Sequence, residues 1–552
     1  MAQQPSAYTL RPPLSDAQIV NPNGFPTEVE TTWRTNLTLL LQQISGIQVS
    51  ISGGDATAGL NQAIGQAIKQ GGGTVMLPAG SYTISSPVSI PFNSPPVWII
   101  GQGPATILTR SGNMPAGMGI FDISSDYVTL SDFVIDGGTT TPVGLLYGSG
   151  FSTALNANDP MAPSLTTNTS VWLHGPATNL AVYRMGFRHA GGYSILLDAT
   201  SGDISDIDIE GCYLVNNRPT LFGTVAGQAI YGSWNGGILA KGDGRTASGS
   251  ESGVVSGLRV EGCSFQRGTG NQIWSHNFGF ARLHSQFRYS ANKFLDCGLD
   301  AILVDCVNGG SVDGNIMRRI GYTTLTDTDQ SVPRWLVNLN ATGIDSGVVQ
   351  NVPYTGNSLT SVNGGMVDLD GHGQGDLTGN VCTIPLVGDP RYVEDQIAIT
   401  GPTNSGNGSY GFNMGNTYSY EWGCIDVNMT GNTFINLPSG SIRLYSARRC
   451  KVIANIFDVP ATSTIAPIQM GPQGTGPYQR CFNNKISHND FNYSPASAKP
   501  CVKEDGSITP FLNTESNYVF GNQPIYGNGN ATEFSPSSPS ASPTYAATVW
   551  FP

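Results

Sequence analysis

Short runs of alternating apolar and polar residues, closed by a Gly-Asn or Gly-Cys step and reopened by an apolar residue, recur along most of the chain. They read LRVEGCSF, FRYSANKF, GSVDGNIM, GDLTGNVC, VNMTGNTF and KVIANIF. With the Asn or Cys as landmark, the series runs Cys212, Cys263, Asn292, Asn315, Asn357, Asn380, Asn432, Asn455 and Asn489. Weaker copies at Phe133 and Met185 extend it upstream. The intervals 292–315, 357–380 and 432–455 are each 23 residues, and the longer ones are two periods or one period plus an insertion. Two-residue alternation with Gly/Asn turns, repeated at this period and almost without helical periodicity, predicts a β-solenoid. Each coil pairs only with the coils above and below it, at about 4.8 Å. The landmark Asn is expected to stack into a ladder at a tight turn, itself in the left-handed conformation that Asn tolerates.

Helical spacing is clearest in one segment of the first hundred residues. In LNQAIGQAIKQ, Leu60, Ala63, Ile64, Ala67 and Ile68 share a face, and Gly71–Gly73 stop the helix. Such a helix can plug the open end of a solenoid. A second, amphipathic helix is predicted from Glu28 to Ser45, with Trp33, Leu37, Leu40 and Leu41 on one side. The C-terminal EFSPSSPSASPTYAATVWFP has the composition of an extended tail. The chain therefore divides into a leader (1–50), a solenoid (51–500) and a last coil with tail (501–552).

Composition narrows the function classes. Charged residues are only 12% of the chain, the net charge is −12, and seven lysines provide no basic stripe, which argues against nucleic-acid binding and against an anionic membrane surface. No apolar run is long enough to span a bilayer. Met1–Leu10 lacks the pattern of a signal peptide. Nine cysteines, scattered singly without a CxxC pair, predict small buried thiols, with Cys212 and Cys263 as ladder members. Neither a metal nor a cofactor is expected.

Asp55-Ala56-Thr57, the capping helix and GGGTVMLPAGSYTI together resemble the N-terminal signature of the pectate-lyase-3-like superfamily. The resemblance implies an all-β, single-stranded right-handed parallel β-helix. It leaves the chemistry open, since the superfamily includes glycoside hydrolases, polysaccharide lyases, epimerases and phage tailspike depolymerases. The leader, with VNPNGFPT followed by a Trp-containing helix, resembles the attachment regions of phage tail proteins. That implies docking to a phage tail or baseplate through residues 1–50, a place in the virion tail, and a homotrimer.

Laying the coils over one another by their landmarks nominates a site. Ten residues before Asn315, Asn380 and Asn455 stand Asp305, Asp370 and Tyr445; twelve before Asn357, Asn380 and Asn455 stand Asp345, Asp368 and Arg443. The intervening Val304, Leu369 and Leu444 are apolar, so alternation turns the polar set outward. Asp345 and Asp368 then lie in neighbouring coils, about 5 Å apart, and Asp305 and Asp370 two coils apart, about 9–10 Å. These separations bracket those of retaining and inverting glycosidases. Stacked carboxylates are costly through self-repulsion, more so in a charge-poor chain.

His372, in VDLDGHGQGD, is an acid/base candidate. Its Gly-His-Gly resembles that of polygalacturonases, but the Asn-x-Asp and Asp-Asp motifs of those enzymes are missing from the matching coils, and their residues are not carried over. Insertions at 321–343 and 384–422 carry Trp335, Tyr392, Tyr418, Tyr420 and Trp422, aromatics suited to stacking on sugars, with Glu421 as a further acid. Together these mark a glycan groove over coils from about 270 to 450. The expectation is a tailspike-like protein that binds a bacterial surface polysaccharide and cleaves it by hydrolysis. Two alternatives are a secreted bacterial hydrolase or lyase, and a non-catalytic tail fibre or adhesin.

Overall fold

The structure is a computed structural model. It describes residues 46–551 except 115–117, 139–168, 191, 216–219, 226–227, 233–235, 243–252, 269, 278–281, 299, 325–334, 338–341, 348, 363–364, 396–409, 416–423, 462, 464, 472–480, 494–498, 505–513, 516, 525–533 and 536–548. The helix expected at 28–45 lies outside the described residues.

Three long sheets run the length of the molecule, and every pairing within them is parallel. Among the described residues two contain 14 strands each, and the third, with up to two short strands per coil, contains 23. A single coil shows the logic. Ile302–Val304 lies on the first face, Val307–Asp313 on the second and Ile316–Arg318 on the third. Each strand pairs with its counterpart in the next coil, Ile344–Ser346, Val349–Gln350 with Tyr354–Thr355, and Ser358–Thr360. The fold is a right-handed parallel β-helix.

Alternation sets inside from outside. Ile344, Val367, Phe412, Ile442 and Ile468 form one inward column of the first face, and Leu369, Met414, Leu444 and Met470 another; all are fully buried. On the third face Phe434, Phe457 and Phe491 stack with centroids 5.0 and 4.6 Å apart and rings within 10° of parallel. Identical side chains in register fill a constant cross-section without voids.

The corner between second and third faces is held by the predicted ladder. From Asn315 to Asn522, each Asn side-chain oxygen of this series accepts the backbone N–H of the Asn one coil earlier, at 2.9–3.2 Å. Each Nδ2 also donates to a carbonyl one coil back, such as Tyr354 O for Asn380. These side chains thus satisfy backbone groups that the turn removes from the sheet. One expectation is corrected. The left-handed residue is the one before the Asn, for example Gly314, Gly356, Gly379, Ala454 and His488, and the ladder Asn residues are not left-handed themselves. Cys263 occupies the ladder position of an earlier coil, its Sγ accepting Cys212 N–H at 3.4 Å. All nine cysteines are free and buried.

Thr57–Lys69 forms the capping helix. Leu60, Ala63, Ile64 and Ala67 are buried in the main core, closing the N-terminal end of the solenoid. Asp55 accepts Thr57 N–H at 2.8 Å before the first turn. Burial alone would raise its carboxyl, but hydrogen bonds from Ser85 and Thr57 outweigh it and hold the group below the usual range. Strands continue through Tyr518–Phe520 to Val549–Phe551. No described helix is long and apolar enough to cross a membrane.

Candidate functional site

The candidate site lies on the first face, where successive coils turn polar residues outward. Inward Ile344, Val367, Phe412 and Ile442 fix the parity of their strands, so the residues that follow them point out. Register then places Asp345 opposite Asp368, Asp368 opposite Asn413, Asn413 opposite Arg443, and Arg443 opposite Gln469. Asp345, Asp368, Asn413 and Arg443 are all half-buried. Further toward the N-terminus the same column reads Trp172, Leu196, Leu239, Trp274 and Leu303. Together with Tyr193 these form an apolar cluster separate from the interior core. The outer column thus changes from apolar to acidic between Leu303 and Asp345.

Asp368 is anchored through both of its carboxylate oxygens. Its Oδ1 accepts from Asn413 Nδ2 at 2.9 Å and its Oδ2 from the Tyr410 hydroxyl at 2.9 Å. The Arg443 guanidinium carbon lies 4.5 Å from the Tyr410 ring centroid, a cation–π stack. Arg443 Nη2 donates to Ser439 O at 3.1 Å, while its Nε is buried without a hydrogen-bond partner among the described residues, as is Asn413 Oδ1. Burial, then the neighbouring Asp368 charge, pushes the Tyr410 phenol well above its ordinary value, so it stays a donor at any physiological pH.

Asp305 stands one residue past its strand, and its Oδ2 lies 3.2 Å from His276 Nδ1. A side chain at Gly347 in the next coil would place its Cβ 2.2 Å from Asp305 Oδ1, so the carboxylate would have to shift to admit it. Asp370 pairs by backbone register with Gly415. His372 follows the left-handed Gly371 corner (φ +85) and lies on the second face, opposite Val349. The side chains of Asp370 and His372 lie outside the described residues, as do Tyr418, Tyr420, Glu421 and Trp422 entirely. Trp335 pairs with Thr324 in an antiparallel hairpin. The Tyr445 hydroxyl donates to Gln469 Oε1 at 2.9 Å. Tyr392 sits near Arg318 on the third face, with Arg318 paired to Asp395, away from the Asp345–Asp368 strip.

Tyr410, Asn413 and His276 were not found from the sequence. The insertion at 416–423 sets Asn413 nineteen residues before Asn432 instead of twelve, and counting from the landmark passes over it. The Phe412–Met414 alternation is the signal that would have located it. Among the described residues no group of three or more His, Cys, Asp or Glu could hold a metal ion.

Two buried titratable groups beside this face oppose each other. Burial lowers the His284 imidazole to about 4, with Nδ1 accepting Val255 N–H and Nε2 facing His276 O. Burial raises Asp300 to about 6 against the hydrogen bonds from Thr342. Between pH 4 and 6 the unfolded chain binds a proton at His284 that the native state refuses, so that contribution to stability falls as pH falls. The native state holds a proton at Asp300 that the unfolded chain releases, so that contribution rises as pH falls. Replacing His284 with Gln is expected to make the melting temperature relative to wild type improve from pH 6.5 to 4, and replacing Asp300 with Asn to make it worsen. Thermal scans across that range check both signs.

No family model matches the sequence, and no curated protein matches it. Solved structures do. The Dettilon tailspike protein aligns over 89% of this chain and 67% of its own, at 12% identity and a TM-score of 0.39. The A-module of the mannuronan C-5 epimerase from Azotobacter vinelandii aligns over 89% and 99%, at 13% identity and 0.36. The pre-mature gene product 12 of bacteriophage phi29 aligns over 90% and 70%, at 11% identity and 0.44.

Proposed function

We propose that this protein is a phage tailspike-like polysaccharide depolymerase, which binds a bacterial surface glycan along its first face and hydrolyses it. The observation that carries the reading is the in-register pair Asp345 and Asp368 on the outside of a charge-poor solenoid. Neighbouring strands are about 4.8 Å apart, which suits the roughly 5–5.5 Å carboxyl separation of a retaining glycosidase. One carboxyl protonates the glycosidic oxygen as the bond to the anomeric carbon breaks. The other forms an ester to that carbon, and water then cleaves the ester, returning a proton to the first. Arg443 and Tyr445 bind sugar hydroxyls further along the strip. Trp335, Tyr420 and Trp422 provide stacking faces, and Asp305, Asp370, His372 and Glu421 are the further acid/base groups. Hydrolysis is favoured over β-elimination because a lyase must neutralise a uronate carboxylate. Arg443, the cation of the strip, is stacked on Tyr410 beside two aspartates.

The test is a panel of capsular, O-antigen and exopolysaccharides. The expected result is loss of viscosity with new reducing ends and no ultraviolet absorbance from an unsaturated product. Absorbance would turn the reading to a lyase, and binding without cleavage to an adhesin. The same reading includes a homotrimer attached through residues 1–50, since long solenoids gain lateral contacts around a three-fold axis. Light scattering is expected to give three chain masses at micromolar concentration. A monomer would favour a secreted enzyme.

A further inference from the structure

Asp345 and Asp368 are chemically identical and in register, and a retaining hydrolase needs one of them charged and the other protonated. We infer that Tyr410 and Asn413 are positioning residues that hold Asp368 as the charged carboxylate, making Asp368 the nucleophile and Asp345 the proton donor. The inference rests on the hydrolase reading above and assigns its roles.

Both oxygens of Asp368 are engaged by donors. Asn413 Nδ2 reaches Oδ1 and the Tyr410 hydroxyl reaches Oδ2, each at 2.9 Å. Hydrogen bonds to the ionised form stabilise it and cost nothing in reorganisation as the reaction proceeds. They come from different parts of the neighbouring strand, the start for Tyr410 and the middle for Asn413, so they fix the carboxylate plane as well as its charge. Asn413 can present its amide only one way round here, because Nδ2 must face a carboxylate.

Arg443 completes the arrangement. It stacks on the Tyr410 ring at 4.5 Å and is itself tethered to Ser439 O, so the ring is clamped and the hydroxyl is aimed. The positive charge near Asp368 further favours its ionised form. A charged Asp368 in the adjacent strand, about 4.8 Å away in the hydrogen-bonding direction, assigns the proton-donor role to Asp345. The bond balance follows. An Asp368 oxygen attacks the anomeric carbon, the bond to the leaving oxygen breaks, and the Asp345 proton passes to that oxygen. A water then attacks the ester, giving its proton to Asp345 and freeing Asp368.

Tyr410→Phe removes one hydroxyl and keeps the ring under Arg443. On the polysaccharide cleaved by the wild type, kcat is expected to fall about 10-fold to 10²-fold, as for loss of a hydrogen bond to a charged group. KM should be unchanged, and the acid limb of the kcat/KM profile should move to higher pH. Asn413→Leu is expected to move the same limb in the same direction. A second readout needs no substrate. Carbodiimide modifies protonated carboxyls, and mass spectrometry of Asp368 at mildly acidic pH should show faster labelling in Tyr410→Phe than in wild type. An unmoved acid limb and unchanged labelling would overturn the inference, even if the melting temperature falls. If Asp368→Asn keeps full activity, the hydrolase reading fails instead, and the labelling rates still decide whether Tyr410 holds Asp368 ionised.

Discussion

Replacing Asp345 or Asp368 with Asn is expected to lower turnover by about 10² to 10⁴, the contribution typical of general acid–base catalysis, while leaving the melting temperature within a few degrees of wild type. Neither side chain supports the interior. Both point outward from strands whose inward neighbours, Ile344, Ser346, Val367 and Leu369, are fully buried and untouched by the change. Asp368→Asn should cost the hydrogen bonds from Tyr410 and Asn413 part of their charge-assisted strength, so its small stability loss should exceed that of Asp345→Asn. The two variants should also differ in rescue. Added azide can replace a nucleophile on the opposite face of the sugar, and restores activity to the variant that has lost it, expected to be Asp368→Asn. Asp305→Asn and Asp370→Asn belong in the same series. Full activity in Asp345→Asn and Asp368→Asn, with loss in Asp305→Asn, would move the chemistry to the His276–Asp305 pair.

How much of this was legible in the chain follows from what each feature depends on. The solenoid was legible because both its determinants are local. Alternation sets which side of each strand faces in, and the Asn turn marks each coil, so 23-residue spacing alone aligned Asp345 with Asp368. The capping helix was legible for the same reason, with Leu60, Ala63, Ile64 and Ala67 at helical spacing and a triple glycine to stop it. Tyr410 and Asn413 were hidden because an insertion lies between them and their landmark, and counting from a landmark fails when chain length is not conserved from coil to coil. The partnership of Asp305 with His276 was hidden for a similar reason, as His276 stands sixteen residues before Asn292 while Asp305 stands ten before Asn315. The conformation of the ladder turn was misread because Asn is a common left-handed residue. Here its amide is spent on backbone groups in neighbouring coils, and the strained position passes to the preceding Gly, Ala or His.

That ladder carries the second large expected effect. Asn380 is central in it. Its Oδ1 accepts both the backbone N–H and the Nδ2 of Asn357 at 3.0 Å, and its Nδ2 donates to Tyr354 O and Asn432 Oδ1 at 2.9 Å. Asn380→Ala would take the acceptor from the buried Asn357 N–H and a donor from the buried Tyr354 carbonyl, each lost bond costing about 1–3 kcal/mol. With the cavity added, the variant is expected to lose about 3–5 kcal/mol, read as a fall in the guanidinium midpoint and faster unfolding. Asn380→Cys should lose clearly less. The chain itself places Cys263 at this position, where Sγ accepts the Cys212 N–H at 3.4 Å, so a thiol can take over the acceptor half of the amide's work. Asn380→Asp should be the worst, because the carboxylate can accept from Asn357 but cannot donate to Tyr354 O, and it brings an unpaired charge into a fully buried corner. The predicted order, Cys above Ala above Asp, separates the hydrogen-bond account from one in which the side chain only fills space, since volume alone would rank Asp beside the wild type.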